Sequence, residues 1–197
     1  MTTATVNDTD LTEIRMHGRG GQGAVIASRL LATAAFLEDR GVQTFPSFGV
    51  ERRGAPVAAF VRIGKSRIRD RSSSMQPQHV IVLDASLLAA VDVTAGVREG
   101  GTLLINTSHP PDLKRAGVTV AWIDASEIAV KRGLGTRAMP ITNTAILGAF
   151  AKLTGVVKLE SVLEAIRRGV SVKIEENLAA ARDAFDAVVI GTGETHR

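Results

Sequence analysis

A glycine-rich turn set between a strand and a helix is the feature that most limits what this chain can fold into. Residues 13–17 (EIRMH) alternate in polarity and read as a first strand. Gly18, Arg19, Gly20, Gly21, Gln22 and Gly23 follow as a turn of the form G-x-G-x-x-G. Residues 24–37 then carry apolar side chains at helical spacing, and Gly41 is a plausible stop. Strand, turn and helix together open a βα unit. Such a turn brings backbone close to a ligand and aims the free N–H groups of a helix N-terminus at it, an arrangement suited to phosphate. The same turn also serves simply to pack a helix on a sheet.

The remaining pattern extends this unit into an α/β fold. Residues 42–45 and 56–63 read as strands, and residues 66–70 as a return strand of a hairpin. The runs HVIVL (79–83), TLLIN (102–106) and VTVAWI (118–123) are continuous and apolar, as in buried parallel strands. Helices are expected over 87–97 and 125–131, then over 143–154, 159–168 and 174–188. The expected architecture is a three-layer α/β fold. Its mixed, mostly parallel sheet has helices on both faces, and the C-terminal third is helical. Residues 1–11 read as a disordered lead, 12–190 as one domain and 191–197 as a tail.

Composition excludes several chemistries. The 197 residues include no cysteine, which removes disulfides, thiolate zinc sites, cysteine nucleophiles and any iron–sulfur cluster held by this chain. The four histidines are too scattered for a local metal motif. The polar, acidic first residues resemble neither a signal peptide nor a transit peptide, and no uncharged apolar run approaches the roughly 18 residues of a membrane helix. A soluble, cytoplasmic protein is expected, with no membrane partner. Net charge is +4, but the distribution says more than the total. Between Glu51 and Arg71 there are seven bases and two acids, which points to an anionic ligand or an acidic partner surface. Nucleic acid is disfavoured, because six Phe, one Trp and no Tyr leave few stacking platforms.

The least generic stretch is FPSFGVERRGAP, residues 45–56, with Arg52 and Arg53 at its centre. Paired with MHGRGGQGAVIASRLLATAA, it strongly resembles the gamma subunit of the 2-oxoacid:acceptor oxidoreductases, the pyruvate:ferredoxin type included. The resemblance continues through HVIVLDASLL, GGTLLINTS and NTAILGAFAKLTG, and covers roughly residues 14–188. It implies a complex that converts a 2-oxoacid and coenzyme A to acyl-CoA and carbon dioxide, the oxoacid being pyruvate or a relative such as phenylglyoxylate. It implies alpha, beta and ferredoxin-like delta subunits as partners. Thiamine diphosphate, Mg2+ and iron–sulfur clusters are expected on those partners, and no cofactor on this chain alone. The gamma chain itself is expected to be a structural and coenzyme A-access module. Gly18 to Gly23, Arg52 and Arg53 then hold coenzyme A phosphates or pair with acidic groups around its channel.

No convincing catalytic set stands in the sequence. His17 lies beside the glycine turn, within reach of a ligand there, but also reads as a structural strand-end histidine. Asp84 ends a buried strand, a favoured place for sites in open α/β sheets, and reads equally as the cap of the next helix. Ser108-His109 precedes two prolines and reads as a turn. Asn143, at the start of an apolar helix, reads as a cap or an interface contact. Two rivals stay open. One is a free-standing NAD(P)-binding oxidoreductase using residues 18–23. It needs an acidic residue at the end of the next strand, where the sequence has Phe45-Pro46. The other is a nucleic-acid binder using the basic segment 52–71.

Overall fold

The alternation at residues 13–17 is one stretch of a nine-residue strand, β1 (Leu11–Arg19), that lies in the middle of a seven-stranded sheet. The computed structural model describes residues 11–46, 54–68, 76–113 and 115–191. After β1 come α1 (Ala24–Phe36), β2 (Gly41–Pro46), β3 (Pro56–Gly64) and β4 (His79–Val82). Then follow a short 3-10 helix (Ala85–Ala89), β5 (Thr102–Asn106), β6 (Thr119–Ile123) and α2 (Ala125–Lys131). The last part holds the small hairpin β7 (Gly135–Thr136) and β8 (Met139–Pro140). It is followed by α3 (Ala145–Thr154), α4 (Leu159–Gly169), α5 (Ile174–Ala187) and β9 (Val189–Ile190). The sheet order is β2-β3-β1-β4-β5-β6-β9. β1, β4, β5 and β6 are mutually parallel, while β3 and β9 run the other way and β2 is antiparallel to β3. The expected fold class is therefore the one observed.

Each face of the sheet has its own apolar cluster. Ile14, Met16, Ile81 and Leu104 point to one side, where they pack with α1, α3, α4 and α5. α3 is buried all round, from Ala145 to Ala151, which explains why its sequence shows little amphipathic contrast. Its backbone comes so close to α5 that a Cβ on Gly148 would lie 1.8 Å from the Ala181 carbonyl oxygen. Val80, Val82, Leu103 and Ile105 point to the opposite side, against Leu87, Val93 and Val97.

That second cover corrects the expected helix over 87–97. Only the 3-10 helix forms, followed by turns. Side chains compete with helical hydrogen bonds here. The Asp84 carboxylate accepts from the Ser86 amide (2.9 Å), and the Asp92 carboxylate from the Thr94 amide (2.9 Å). The carbonyls of Val93 and Ala95 accept from the Arg15 guanidinium at 2.9 and 2.7 Å. The β-branched Val91, Val93, Thr94 and Val97 add little helix propensity against this. Residues 66–68 of the expected return strand are not in a strand, and the rest of it lies outside the described residues.

Candidate functional site

The glycine turn sits where the sheet topology changes direction. From β1 the chain proceeds outward to β2 and β3 on one side, then returns to β4 on the other. In open α/β sheets the carboxyl ends of the strands at such a point form the usual ligand crevice. β1 ends here at Arg19, and β4 delivers Leu83 and Asp84 beside it through a hydrogen bond from the Leu83 amide to the His17 carbonyl, 2.8 Å.

Within the turn, the large polar side chains point inward to one carboxylate. Gln22 folds back so that its carbonyl oxygen accepts from the Arg19 amide (2.7 Å), and its Nε2 donates to Asp84 (2.8 Å). Arg19 donates from Nε to Asp84 (3.2 Å), from its terminal nitrogens to Ser86 Oγ (2.7 Å) and to the Gly54 carbonyl (3.0 Å). Burial alone would raise the Asp84 pKa. Hydrogen bonds from Ser86 and Gln22, with the Arg19 charge, outweigh it and hold the carboxyl below its usual range. Asp84 is thus both the cap of the 3-10 helix and the anchor of the turn.

The backbone of the turn is left for other contacts. Gly18 is packed against Ala24 and Leu83, and has room for little more than a hydrogen. Gly20 donates to the Ala55 carbonyl (2.9 Å) and accepts from the Gly54 amide (3.1 Å). The glycine turn and the end of the arginine loop are therefore one surface. Arg52 and Arg53 themselves lie outside the described residues. Gly21 (φ +95°) is exposed and faces open space. Gly23 (φ +81°) caps α1 with no side-chain hydrogen bond, and the first turn of α1 carries no acid. Among the described residues, no acid in the first turn of α1 offsets the positive dipole end there.

The other candidates take clear places. His17 is mostly buried on the β1 face turned toward residues 92–95. Burial, then the Arg15 charge, with Asp92 opposing, lowers its pKa to about 4, and its Nε2 has no hydrogen-bond partner. Ser108 and His109 bond each other at 2.8 Å on the exposed surface, away from Asp84's partners. Asn143 sits with its side chain against Gly23. Sequence reading had no means to join residues 120 positions apart. The one available signal was a polar residue opening an apolar helix. The dinucleotide reading meets a topological obstacle. The neighbour of β1 on the β2 side is the antiparallel β3, so no parallel strand ends there with a ribose-binding carboxylate. A polar cleft of about 340 Å³ opens at the ends of β5 and β6, lined by Asn106, Ser126, Glu127 and Arg137 among others. It was not anticipated. Among the described residues, no three His, Asp or Glu side chains gather into a metal-binding group, and no helix is long and apolar enough to cross a membrane.

Comparison with known proteins decides the family. Residues 13–187 match the family described as pyruvate ferredoxin/flavodoxin oxidoreductase. The chain belongs to this family. It is 52% identical over 186 residues to the pyruvate/ketoisovalerate oxidoreductases common subunit gamma of Thermococcus litoralis. That match covers 91% of this chain and 98% of the relative. The crystal structure of pyruvate oxidoreductase subunit PORC from Thermotoga maritima superimposes with a TM-score of 0.78 at 35% identity, covering 93% of this chain and 99% of that one. The chain is thus a gamma subunit of the 2-oxoacid oxidoreductase type, as the two leading motifs imply. A 2-oxoglutarate:ferredoxin oxidoreductase from Magnetococcus marinus, solved with 2-oxoglutarate, coenzyme A and succinyl-CoA, shares the fold. It has a TM-score of 0.69 and 22% identity over 90% of this chain, but this chain matches 30% of that longer one.

Proposed function

We propose that this gamma chain works in a multisubunit complex that oxidatively decarboxylates pyruvate or a related 2-oxoacid with coenzyme A, giving acyl-CoA and carbon dioxide. Its partners are alpha, beta and a ferredoxin-like delta subunit. Thiamine diphosphate with Mg2+ and the iron–sulfur clusters belong to those partners and supply the carbanion and electron-transfer chemistry. This chain has no cysteine with which to hold a cluster. Its own part is to present a surface to the coenzyme A path.

The observation that carries this reading is the pairing of Gly20 with Gly54 and Ala55. It fuses two motifs into one surface, which combines an open glycine backbone, an uncapped helix N-terminus and the end of the Arg52-Arg53 loop. The Asp84 carboxylate is paired with Arg19 and hydrogen-bonded by Gln22 and Ser86, which reduces its repulsion of an incoming phosphate. The coenzyme A named in the Magnetococcus marinus structure agrees with this class of ligand for the fold.

The test is to purify the complex by a tag on this chain, identify its subunits, and compare wild type with Arg52→Ala and Gly21→Val. A raised coenzyme A KM with an unchanged 2-oxoacid KM supports the reading. Loss of subunits with unchanged KM in the residual complex makes this surface an assembly element instead.

A further inference from the structure

We propose that the β7–β8 hairpin, with the start of α5 beside it, is a docking surface for another subunit of the complex. The surface it fits has an apolar centre and a rim of carboxylates. This inference rests on the reading that the chain works in a multisubunit complex, and adds to it the place of one subunit contact. It uses no residue of the glycine turn.

The hairpin is fixed to the body of the fold. Leu134, just before it, is buried in the helical core, and its amide donates to the Ala129 carbonyl at 2.8 Å. The Ile141 amide donates to the Leu134 carbonyl (3.1 Å) and the Met139 amide to Thr136 Oγ1 (3.2 Å), which closes the hairpin. Only glycine fits at 135, where φ is +80° and a Cβ would lie 2.3 Å from the Met139 carbonyl oxygen. Lys173 ties the start of α5 to the same place, its ammonium donating to the Gly133 carbonyl. A two-stranded hairpin is marginal by itself, so this one depends on these ties.

What this fixed projection holds out is apolar. Met139 is 60% and Ile141 47% exposed, and Val172, next to Lys173, is 70% exposed. Among the described residues, these are three of the seven large apolar side chains left in solvent. Single exposed apolar residues are ordinary, but three around one rigid hairpin mark a contact surface. Charge decides what kind of surface covers it. Lys131 and Arg137, with side chains 71% and 82% exposed, share the single carboxylate of Glu127 at 3.7 and 3.9 Å. The Lys173 ammonium meets a neutral carbonyl. Three cations and one acid around an apolar centre are complemented by a partner that brings carboxylates to the rim. A second copy docking through the same surface would set like charge against like, which disfavours it.

The experiment uses the complex purified through a tag on this chain. In the intact wild-type complex, Met139 should react with peroxide at a small fraction of the rate of free methionine, and faster once the subunits are separated. A zero-length carbodiimide should link Lys131 or Lys173 to a carboxylate of a different subunit. Met139→Glu should weaken retention of that subunit about thirtyfold, the size of losing one interface hot spot. Phe36→Glu, at an exposed position on the end of α1, should leave retention unchanged. Oxidation of Met139 in the complex as fast as that of free methionine overturns the docking surface, even where a variant fails to fold. A cross-link to a second copy of this chain, or equal loss of subunits in both variants, overturns it too. If the complex assembles and decarboxylates a 2-oxoacid while Met139 stays open to peroxide, the docking surface falls and the reading of the complex stands. If the tag brings down this chain alone, both fall.

Discussion

Glu13 and Arg62 face each other across the antiparallel β1–β3 pair and close an ion pair at 2.8 Å. Both side chains are sealed from water, at 3% and 1% residue exposure. The second Glu13 oxygen accepts the Gln76 amide at 3.0 Å and lies 3.7 Å from Arg98. A buried pair of this kind contributes little net stability, but removing one partner takes from the other its counter-charge across the two strands. Glu13→Leu should therefore cost about 3–5 kcal/mol in chemical denaturation. The double change Glu13→Leu with Arg62→Met should recover most of that loss. Additive losses in the two single variants would show that the charges do not depend on each other.

Gly148 lies inside α3, where helix propensity favours alanine by about 1 kcal/mol. The α5 backbone overrules that preference, since the added methyl would meet the Ala181 carbonyl oxygen at 1.8 Å. Gly148→Ala should destabilise by about 3 kcal/mol, the upper end of overpacking losses, as α3 and α5 are forced apart. A gain in melting temperature would mean that the two helices separate without cost.

Asp84→Asn keeps the shape of the turn's anchor and removes its charge. Arg19 and Asp84 are partly exposed, at 29% and 23% of their side chains, so the loss should be small, about 1 kcal/mol. The local effect should be larger than the global one. Hydrogen exchange at the Gln22 amide, which bonds the Arg19 carbonyl at 2.9 Å, should accelerate, while the β5 amides stay protected. Equal acceleration in both places would show that Asp84 supports the whole sheet rather than the turn.

The buried strands β4, β5 and β6 were legible in the sequence because continuous apolar runs have few alternatives. The βα unit was clear because glycine spacing, strand alternation and helical periodicity agreed. The 84–97 segment misled because its apolar spacing fits a helix, while its hydrogen bonds go to Asp84, Asp92 and Arg15. Only the last of these is distant in sequence. At the site, the glycine turn was visible, but the inward orientation of Arg19 and Gln22 was not. That depends on Asp84 arriving from β4. The approach of Asn143 to Gly23 depends likewise on a contact between segments 120 positions apart.

Two largely buried histidines should make the fold sensitive to mild acid. Burial lowers the pKa of His79 to about 4, and burial, then Arg15, with Asp92 opposing, does the same for His17. His79 accepts or donates at 2.9 Å to Thr102 and packs edge-on against Phe150, both compatible with a neutral ring. In the unfolded chain both rings regain a pKa near 6.5. The unfolded state then binds more protons than the folded state between pH 6.5 and about 4, so stability falls as pH falls through that window. Above pH 6.5 the stabilisation is fully present, and below about 4 no more is lost through these groups. Each shift is worth on the order of 3 kcal/mol at most. Carboxylates titrate near the lower end of the same window, so the measurement is a difference. Urea unfolding of wild type and His79→Gln is followed from pH 7.5 to 4.5. The variant should lose stability at pH 7.5 through poorer packing, and then lose less than wild type as the pH is lowered, so that the two curves converge. Parallel curves would mean that His79 keeps an ordinary pKa in the folded protein, and that its burial is relieved by water.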